Sequence, residues 1–408
     1  MKYIILLGDG MADRPLKELG GRTCLQAART PNMDKIASEG ITGQVRTIPH
    51  GFPPGSDVAN LSIFGYNPVK YYSGRAPLEA ASMGLKLGRE DVAYRCNLVT
   101  LKFLNSKNED AAVMDDYSAG HIPTKEAALL IKKINSKIGS SKFIFYPGIS
   151  YRHLMVWKGG RDKVQCTPPH DIIGKKITNY LPRGNGNKVL RLLMEESRDI
   201  LLAHPINKKR MNAGLKPANS IWLWGQGRKP AMPEFKDKYG LKGALISAVD
   251  LTKGLGISAG FEIIKVKGAT GYLDTNYSGK ARAALNALKK VDIVYLHVEA
   301  PDEAGHNGDM KAKIQAIEDF DSKVVGTVLK GLKKFKDYRI LLLPDHATPV
   351  KIRTHTDEPV PFAIYDSRIK INNKGAAFNE SILKQKHVMT IDKGYKLMDY
   401  FIDISRLT

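Results

Sequence analysis

The sequence predicts an α/β protein: a mostly parallel sheet flanked by helices, with a smaller α+β domain of ferredoxin-like type inserted into it. Three observations carry this expectation. Short continuous apolar runs, at residues 3–7, 293–296 and 340–343, alternate with helix-like segments, as do strands buried on both faces of a parallel sheet. Each run stops abruptly at metal-competent side chains: Asp9 after the first, His297, Glu299, Asp302 and His306 after the second, Asp345 and His346 after the third. Between Gly88 and about Pro230 the pattern turns β-rich, while metal-competent groups lie on both sides of it. The expected division is therefore a core of residues 1–87 and 231–408 and an insert of residues 88–230.

Taken in order, the apolar run YIILL reads as a first strand ending near Asp9, rather than as a signal peptide, because Gly-Asp-Gly follows it instead of a small-residue cleavage site. Thr30-Pro31 opens a helix and Gly40 stops it. Residues 47–68 are dense in Pro and Gly, and Ser56 stands where the apolar pattern of Val58, Leu61 and Phe64 begins, at the head of a helix. A serine there is either an N-cap or, in the company of metal ligands, a nucleophile. In the insert, residues 92–104 and 110–117 read as a strand pair joined by a polar turn, and residues 124–138 as a helix. FIFYP and YRHLMVW read as two further strands, residues 187–203 as a second helix and SIWLW as the last strand. From residue 239 the α/β alternation returns: LKGALISAV and FEIIKV as strands, a helix after Tyr277, the strand ending at Glu299, a helix around 311–334 and the strand ending at Pro344.

Composition narrows the function classes. The chain has 408 residues, and its apolar and charged fractions, 43% and 25%, are those of a globular protein with a sizeable core. No run is long and apolar enough to span a bilayer as a helix. The three cysteines, Cys24, Cys96 and Cys166, are scattered and odd in number, which points to a reducing cytoplasmic setting and away from a thiolate metal site. The net charge of +22 admits a nucleic-acid reading. Its lysines, however, spread over helix-like segments as a solvated surface does, and the same field draws in an anionic substrate. No interface pattern identifies an oligomer.

The chemistry follows from spacing. Asp302 and His306 are four apart, so on a helix they share a face and can bind one ion. Asp345 and His346 are neighbours whose side chains diverge on a regular strand; they serve one ion only on an irregular backbone. Oxygen and nitrogen donors without cysteine suit Mn²⁺, Mg²⁺ or Zn²⁺. With Asp9, Ser56 and His355 there are ligands for two ions, which together clamp the attacking and leaving oxygens of a phosphoryl displacement.

The segments LLGDGMADRP, TPNMDKIASEG, PPGSDVANLSIFGYNP, YYSGRAPLEAA, VAYRCNLVT, APDEAGHNGD, LPDHATP and RTHTDEPVPF give the chain a resemblance over nearly its whole length. It resembles the cofactor-independent phosphoglycerate mutases of the archaeal-type branch, within the alkaline phosphatase superfamily. The resemblance implies an alkaline phosphatase-like core and an activity that interconverts 3-phosphoglycerate and 2-phosphoglycerate without bisphosphoglycerate. It implies one ion on Asp302, His306 and His355, another on Asp9, Ser56, Asp345 and His346, and Ser56 as the nucleophile that becomes phosphoserine. It also implies that the insert closes over glycerate. Arg95, Arg152 and Arg228, with Lys242 from the core, are the expected anion-holding residues, chosen for their places near strand ends, and His121 is the expected general acid or base. Two segments depart from the family pattern: Asp116-Tyr117-Ser118-Ala119-Gly120-His121, where arginines are usual, and SDVANLS in the serine motif. They leave open a homoserine kinase-like or other phosphotransferase of the same subfamily. A third reading, a basic nucleic-acid-binding protein with a structural metal, gives Ser56 no role.

Overall fold

The apolar runs that stop at charged residues become neighbouring strands of one sheet. The computed structural model describes residues 1–103, 112–373 and 375–407. Its strands are, in chain order, β1 (Lys2–Gly8), β2 (Ile41–Val45), β3 (Val92–Phe103), β4 (Ala112–Asp116), β5 (Phe143–Ile149), β6 (Arg152–Trp157), β7 (Ser220–Arg228), β8 (Gly243–Ile246), β9 (Glu262–Ile263), β10 (Ile293–Val298), β11 (Tyr338–Leu343), β12 (Val360–Asp366) and β13 (Met389–Ile391). The chain divides into two compact units, Met1–Tyr72 with Ala231–Thr408, and Ser73–Pro230.

The first unit is an α/β layer structure. Its eight-stranded sheet has the order β13-β2-β12-β11-β1-β10-β8-β9. β9, β8, β10, β1 and β11 are mutually parallel, whereas β12 runs antiparallel to both β11 and β2. β1 lies at the centre, with Leu7 opposite His297 of β10 on one side and Leu343 of β11 on the other. Both faces of these strands are buried, which is why the runs are continuously apolar. One face, with Ile4, Leu6, Val294, Leu296, Ile340 and Leu342, packs under Tyr277–Ala287 and the long helical segment Met310–Leu332, which passes through a π-turn at Phe320–Val325. On the other face Tyr295 stacks on Phe64, ring centroids 4.3 Å apart, and so fixes the end of helix Ser56–Ile63 against β10.

The second unit has an antiparallel sheet in which β3 is flanked by β6 and β4 on one side and by β7 on the other, with β5 beyond β6. Leaving β4 aside, the strands run in the order last, first, third, second, with helices Thr124–Ile138 and Asn187–Leu202 as the crossovers. That is the ferredoxin-like plan, with β4 added along the far end of β3. Cys96, Met155 and Leu223 from the sheet meet Leu130, Ile131, Ile134, Leu190 and Met194 from the two helices in one core.

Several boundaries differ from the sequence expectation. The second unit begins at Ser73 rather than at residue 88, because Ala76 and Ala80 of helix Ala76–Ser82 pack on Ala93 and Leu154 of its sheet. The FEIIKV strand shrinks to Glu262–Ile263. β2, β12 and β13 carry no sequence signal strong enough to predict: β2 contains Gly43, β12 opens on Val360-Pro361, and β13 is three residues long. The polar turn expected between the first two insert strands lies outside the described residues.

Candidate metal and nucleophile site

All the predicted metal-ligating residues lie in the first unit, at or just beyond the carboxyl ends of β1, β10 and β11 and on the loop and helix beside them. Asp9 follows β1 directly. Gly10 then turns with φ +58°, and a Cβ there would come within 2.5 Å of Asp302 Oδ1 and Thr348 Oγ1, so the crowding admits only glycine. Asp302 and His306 share a face of helix Ala300–Asn307, with His306 Nε2 3.3 Å from Asp302 Oδ2. Asp345 and His346 follow β11 on irregular backbone, the one arrangement that lets neighbouring side chains converge. One ligand atom each from Asp9, Asp345 and His346 lies within 4.8 Å of the others, and the same holds for Asp302, His346 and His355. His306 completes the second group: its Nε2 is 2.9 Å from His355 Nε2, and its Nδ1 faces the Arg353 carbonyl at 3.0 Å.

Ser56 does not act as an N-cap. Gly55 holds that position, and the Ser56 hydroxyl lies 3.0 Å from His346 Nε2. The serine is placed by Asn60, one turn on, whose amide donates to the Ser56 carbonyl and to Asp345 Oδ2, both at 2.8 Å. Asn60 is oriented in turn by the Tyr295 hydroxyl, which donates to its Oδ1 at 2.6 Å. Asp345 also accepts the Gly10 N–H at 3.0 Å. None of these supporting residues was predicted; Asn60 one turn after Ser56, on the same helix face, is the signal that could have found it.

Electrostatics separate the carboxylates. Burial, together with the charges of Asp345 and Asp302, pushes the Asp9 carboxyl well above its usual range. Burial also opposes ionisation of Asp302, yet hydrogen bonds from His306 and His355 outweigh it and hold that carboxyl well below the usual range. Burial lowers His346 to about 4. His306 is pushed up to about 9, because Asp302 outweighs the effect of burial.

These residues fit divalent cations. Three carboxylates meet with no lysine or arginine in ion-pair distance among the described residues. Asp9 Oδ1 is buried without a hydrogen-bond partner, which is costly unless a cation takes it. The donors are all oxygen and nitrogen, as hard and borderline ions require.

Beside this cluster runs a buried chain that begins at Lys280. Its ammonium donates to Glu299 Oε2 at 2.6 Å, and Glu299 Oε1 lies 3.1 Å from His297 Nδ1. His297 Nε2 is 3.2 Å from Asp9 Oδ2, an ion-pair contact that is not an aligned hydrogen bond. Burial alone would lower His297; Asp9 and Glu299 outweigh it and push the ring up to about 10.

The expected anion-holding residues fare differently. Lys242 stands at the amino end of β8, whereas Asp9 and the Asp345-His346 pair lie beyond the carboxyl ends of strands parallel to it; the strand direction removes it from the site. In the second unit Arg95 is buried in a two-pronged ion pair with Glu79, at 3.1 and 3.2 Å, and lies over the Trp224 ring. Arg228 is engaged by Glu90 at 2.8 Å, by Asp162 at 3.4 Å and by the Gly160 carbonyl. Arg152 is exposed, rests against Tyr151 and has no ion pair among the described residues. His121 is exposed at φ +51° beside Tyr117 and Tyr151, on a turn where Ala119 and Gly120 also have positive φ.

Comparison with known proteins gives concordant results. The model of the 2,3-bisphosphoglycerate-independent phosphoglycerate mutase family matches residues 37–207. A probable 2,3-bisphosphoglycerate-independent phosphoglycerate mutase of Geobacter sulfurreducens is 53% identical over 403 residues, 99% of this chain and 100% of its own. The enzyme so named in Methanosarcina acetivorans is 57% identical over 369 residues, 90% of each chain. Among solved structures, the cofactor-independent phosphoglycerate mutase of Thermoplasma acidophilum is 28% identical with a TM-score of 0.67, covering 99% of this chain and 100% of its own. A protein from Pyrococcus horikoshii is 29% identical with a TM-score of 0.82, covering 100% and 98%.

Proposed function

Since this chain belongs to the 2,3-bisphosphoglycerate-independent phosphoglycerate mutase family, we propose that it interconverts 3-phosphoglycerate and 2-phosphoglycerate through a phosphoserine at Ser56. The observation that carries the mechanism is the Ser56 hydroxyl at the head of a helix, 3.0 Å from His346, inside a cluster of three buried carboxylates. Asp302, His306 and His355 would hold one divalent ion, and Asp9, Ser56, Asp345 and His346 the other, with Mn²⁺ or Mg²⁺ the best match and Zn²⁺ an alternative. Such ions, when bound, lower the pKa of the serine hydroxyl and offset the charge of the phosphoryl oxygens.

The residues then divide the work. Ser56 Oγ loses its proton and attacks phosphorus; the bond from phosphorus to the 3-oxygen breaks, and that oxygen takes up a proton as glycerate. The N–H groups at the head of helix Ser56–Ile63, with its dipole, stabilise the phosphoserine anion. In the return step the glycerate 2-hydroxyl gives up its proton and attacks phosphorus, and Ser56 Oγ is released. Asn60 keeps Ser56 and Asp345 in register throughout by bonding to both. Exposed Arg152, which has no ion pair among the described residues, is our candidate for holding the substrate carboxylate, with His121 as the nearby proton carrier.

The test is a paired assay on Mn²⁺-loaded protein. One arm supplies 3-phosphoglycerate without bisphosphoglycerate and follows 2-phosphoglycerate through a coupled enolase; the other supplies homoserine with ATP. Turnover in the first arm, cut by at least about 10³-fold in Ser56→Ala, is the expected result. Turnover in the second arm alone would overturn the substrate and keep the nucleophile. The curated relatives at 53% and 57% identity carry the mutase name, which supports the first arm despite the Tyr117–His121 departure.

A further inference from the structure

We infer that His297, braced by Glu299 and Lys280, is a positioning residue for Asp9: it stands at ion-pair distance from one carboxylate oxygen of Asp9 and thereby leaves the other to a divalent cation. The inference rests on the metal-dependent reading above and assigns a role to three residues that no part of that reading uses.

The geometry is directional. Lys280 is fully buried on Tyr277–Ala287, and its ammonium donates to Glu299 Oε2 and, at 3.1 Å, to the His297 carbonyl. Glu299 Oε1 accepts from the Ser247 hydroxyl at 2.8 Å and from the Ala248 N–H at 2.6 Å. With His297 Nδ1 also against it, this carboxylate has no freedom to rotate. An ionised carboxylate only accepts, so His297 Nδ1 carries a proton toward Glu299. The ring's other nitrogen, Nε2, then stands 3.2 Å from Asp9 Oδ2, its one ion-pair contact among the described residues. The Asp9 backbone is pinned as well, its N–H donating to the Val298 carbonyl at 2.9 Å. What is left is Asp9 Oδ1, buried, without a hydrogen-bond partner and 3.4 Å from His346 Nε2.

Stability alone is a poor account of this chain of charges. A fully desolvated ion pair gains little over apolar packing, because desolvation offsets most of the attraction. Orientation of a ligand is what such a chain supplies, since a partner on the non-ligating side of a metal-binding group sets its angle and its affinity. His306 has a comparable device in the Arg353 carbonyl opposite its Nδ1. Asp9 has it in His297.

The two proposed ions allow a selective test. Metal-free protein is titrated with Mn²⁺ by calorimetry, with free Mn²⁺ followed by electron paramagnetic resonance. Wild type should bind two ions; His297→Asn should weaken one of them by about ten- to a hundredfold and leave the other unchanged. The same substitution should have no further effect in an Asp9→Asn background and its full effect in an Asp302→Asn background. A merely structural role would lower both affinities together, or act equally in both backgrounds, and either result overturns the inference. Should His297→Asn not fold, His297→Gln, which retains one donor, carries the same comparison with a smaller shift. Wild-type protein that binds no Mn²⁺ would sink the metal-dependent reading itself, an outcome distinct from failure of the His297 role.

Discussion

The second unit and the carboxyl edge of the first unit's sheet treat their buried charges in opposite ways. In the second unit two buried arginines have carboxylates of their own: Arg95 has Glu79 at 3.1 Å and Arg210 has Glu126 at 2.8 Å. At the carboxyl edge of the first unit, Asp9, Asp302 and Asp345 crowd together, and among the described residues only imidazoles stand within ion-pair distance of them. The first arrangement is a finished structure. The second stores like-charge repulsion, which a folded protein tolerates where an ion or substrate relieves it. A strongly perturbed carboxylate therefore marks the site better here than does the density of positive charge, although the net charge of +22 first draws attention to the arginines.

Four experiments can break or sharpen that contrast. The largest effect is expected at Arg95. Arg95→Ala removes a buried guanidinium and leaves the half-buried Glu79 without it, and should cost the second unit about 2–3 kcal/mol, read as a lower urea midpoint. Unchanged stability would mean that the pair is not structural and would return Arg95 to the substrate candidates.

The next effect concerns pH. Burial lowers His153 to about 3, so the folded second unit holds it neutral while the unfolded chain protonates it near 6.5. Stability from this group is thus complete above about pH 6.5 and is lost as pH falls toward 3. Between pH 7 and 5 the loss should be about 2 kcal/mol, at up to about 1.4 kcal/mol per unit. His153→Gln should flatten that slope in urea titrations; an unchanged slope would assign the pH dependence elsewhere.

Arg152→Ala should raise KM for phosphoglycerate about tenfold, or about 1.4 kcal/mol, with melting temperature and Mn²⁺ content unchanged. A fall in stability instead would place Arg152 with the structural arginines. The smallest shift is expected at the site. Asp9→Asn removes one of three crowded carboxylates, so it should stabilise the metal-free protein by about 1 kcal/mol while abolishing turnover. A destabilised metal-free variant would show that the carboxylates are not in conflict.

Much of the architecture was legible in local pattern. YIILL, IVYL and ILLL announced buried parallel strands, and the breaks after them announced Asp9, Asp302 with His306, and Asp345 with His346. The helix expected at residues 124–138 is observed as Thr124–Ile138, because its apolar residues recur at helical spacing. Strands without such a pattern were invisible: β2 and β12 pair with each other across more than three hundred residues, and neither has a composition that says so.

What the sequence by itself determined is which residues could do chemistry and at which strand ends they would stand, since periodicity and chain breaks are local properties. Only the tertiary structure decided which of them remain available. It set Lys242 at the wrong edge of the sheet, gave Arg95 and Arg228 to neighbouring carboxylates, turned Ser56 from a helix cap toward His346, and ran Lys280, Glu299 and His297 in a line to Asp9. The physical reason is that a charge's partner is chosen by distance in space and by desolvation. Both depend on segments far apart in the chain, and neither leaves a trace in the spacing of residues along it.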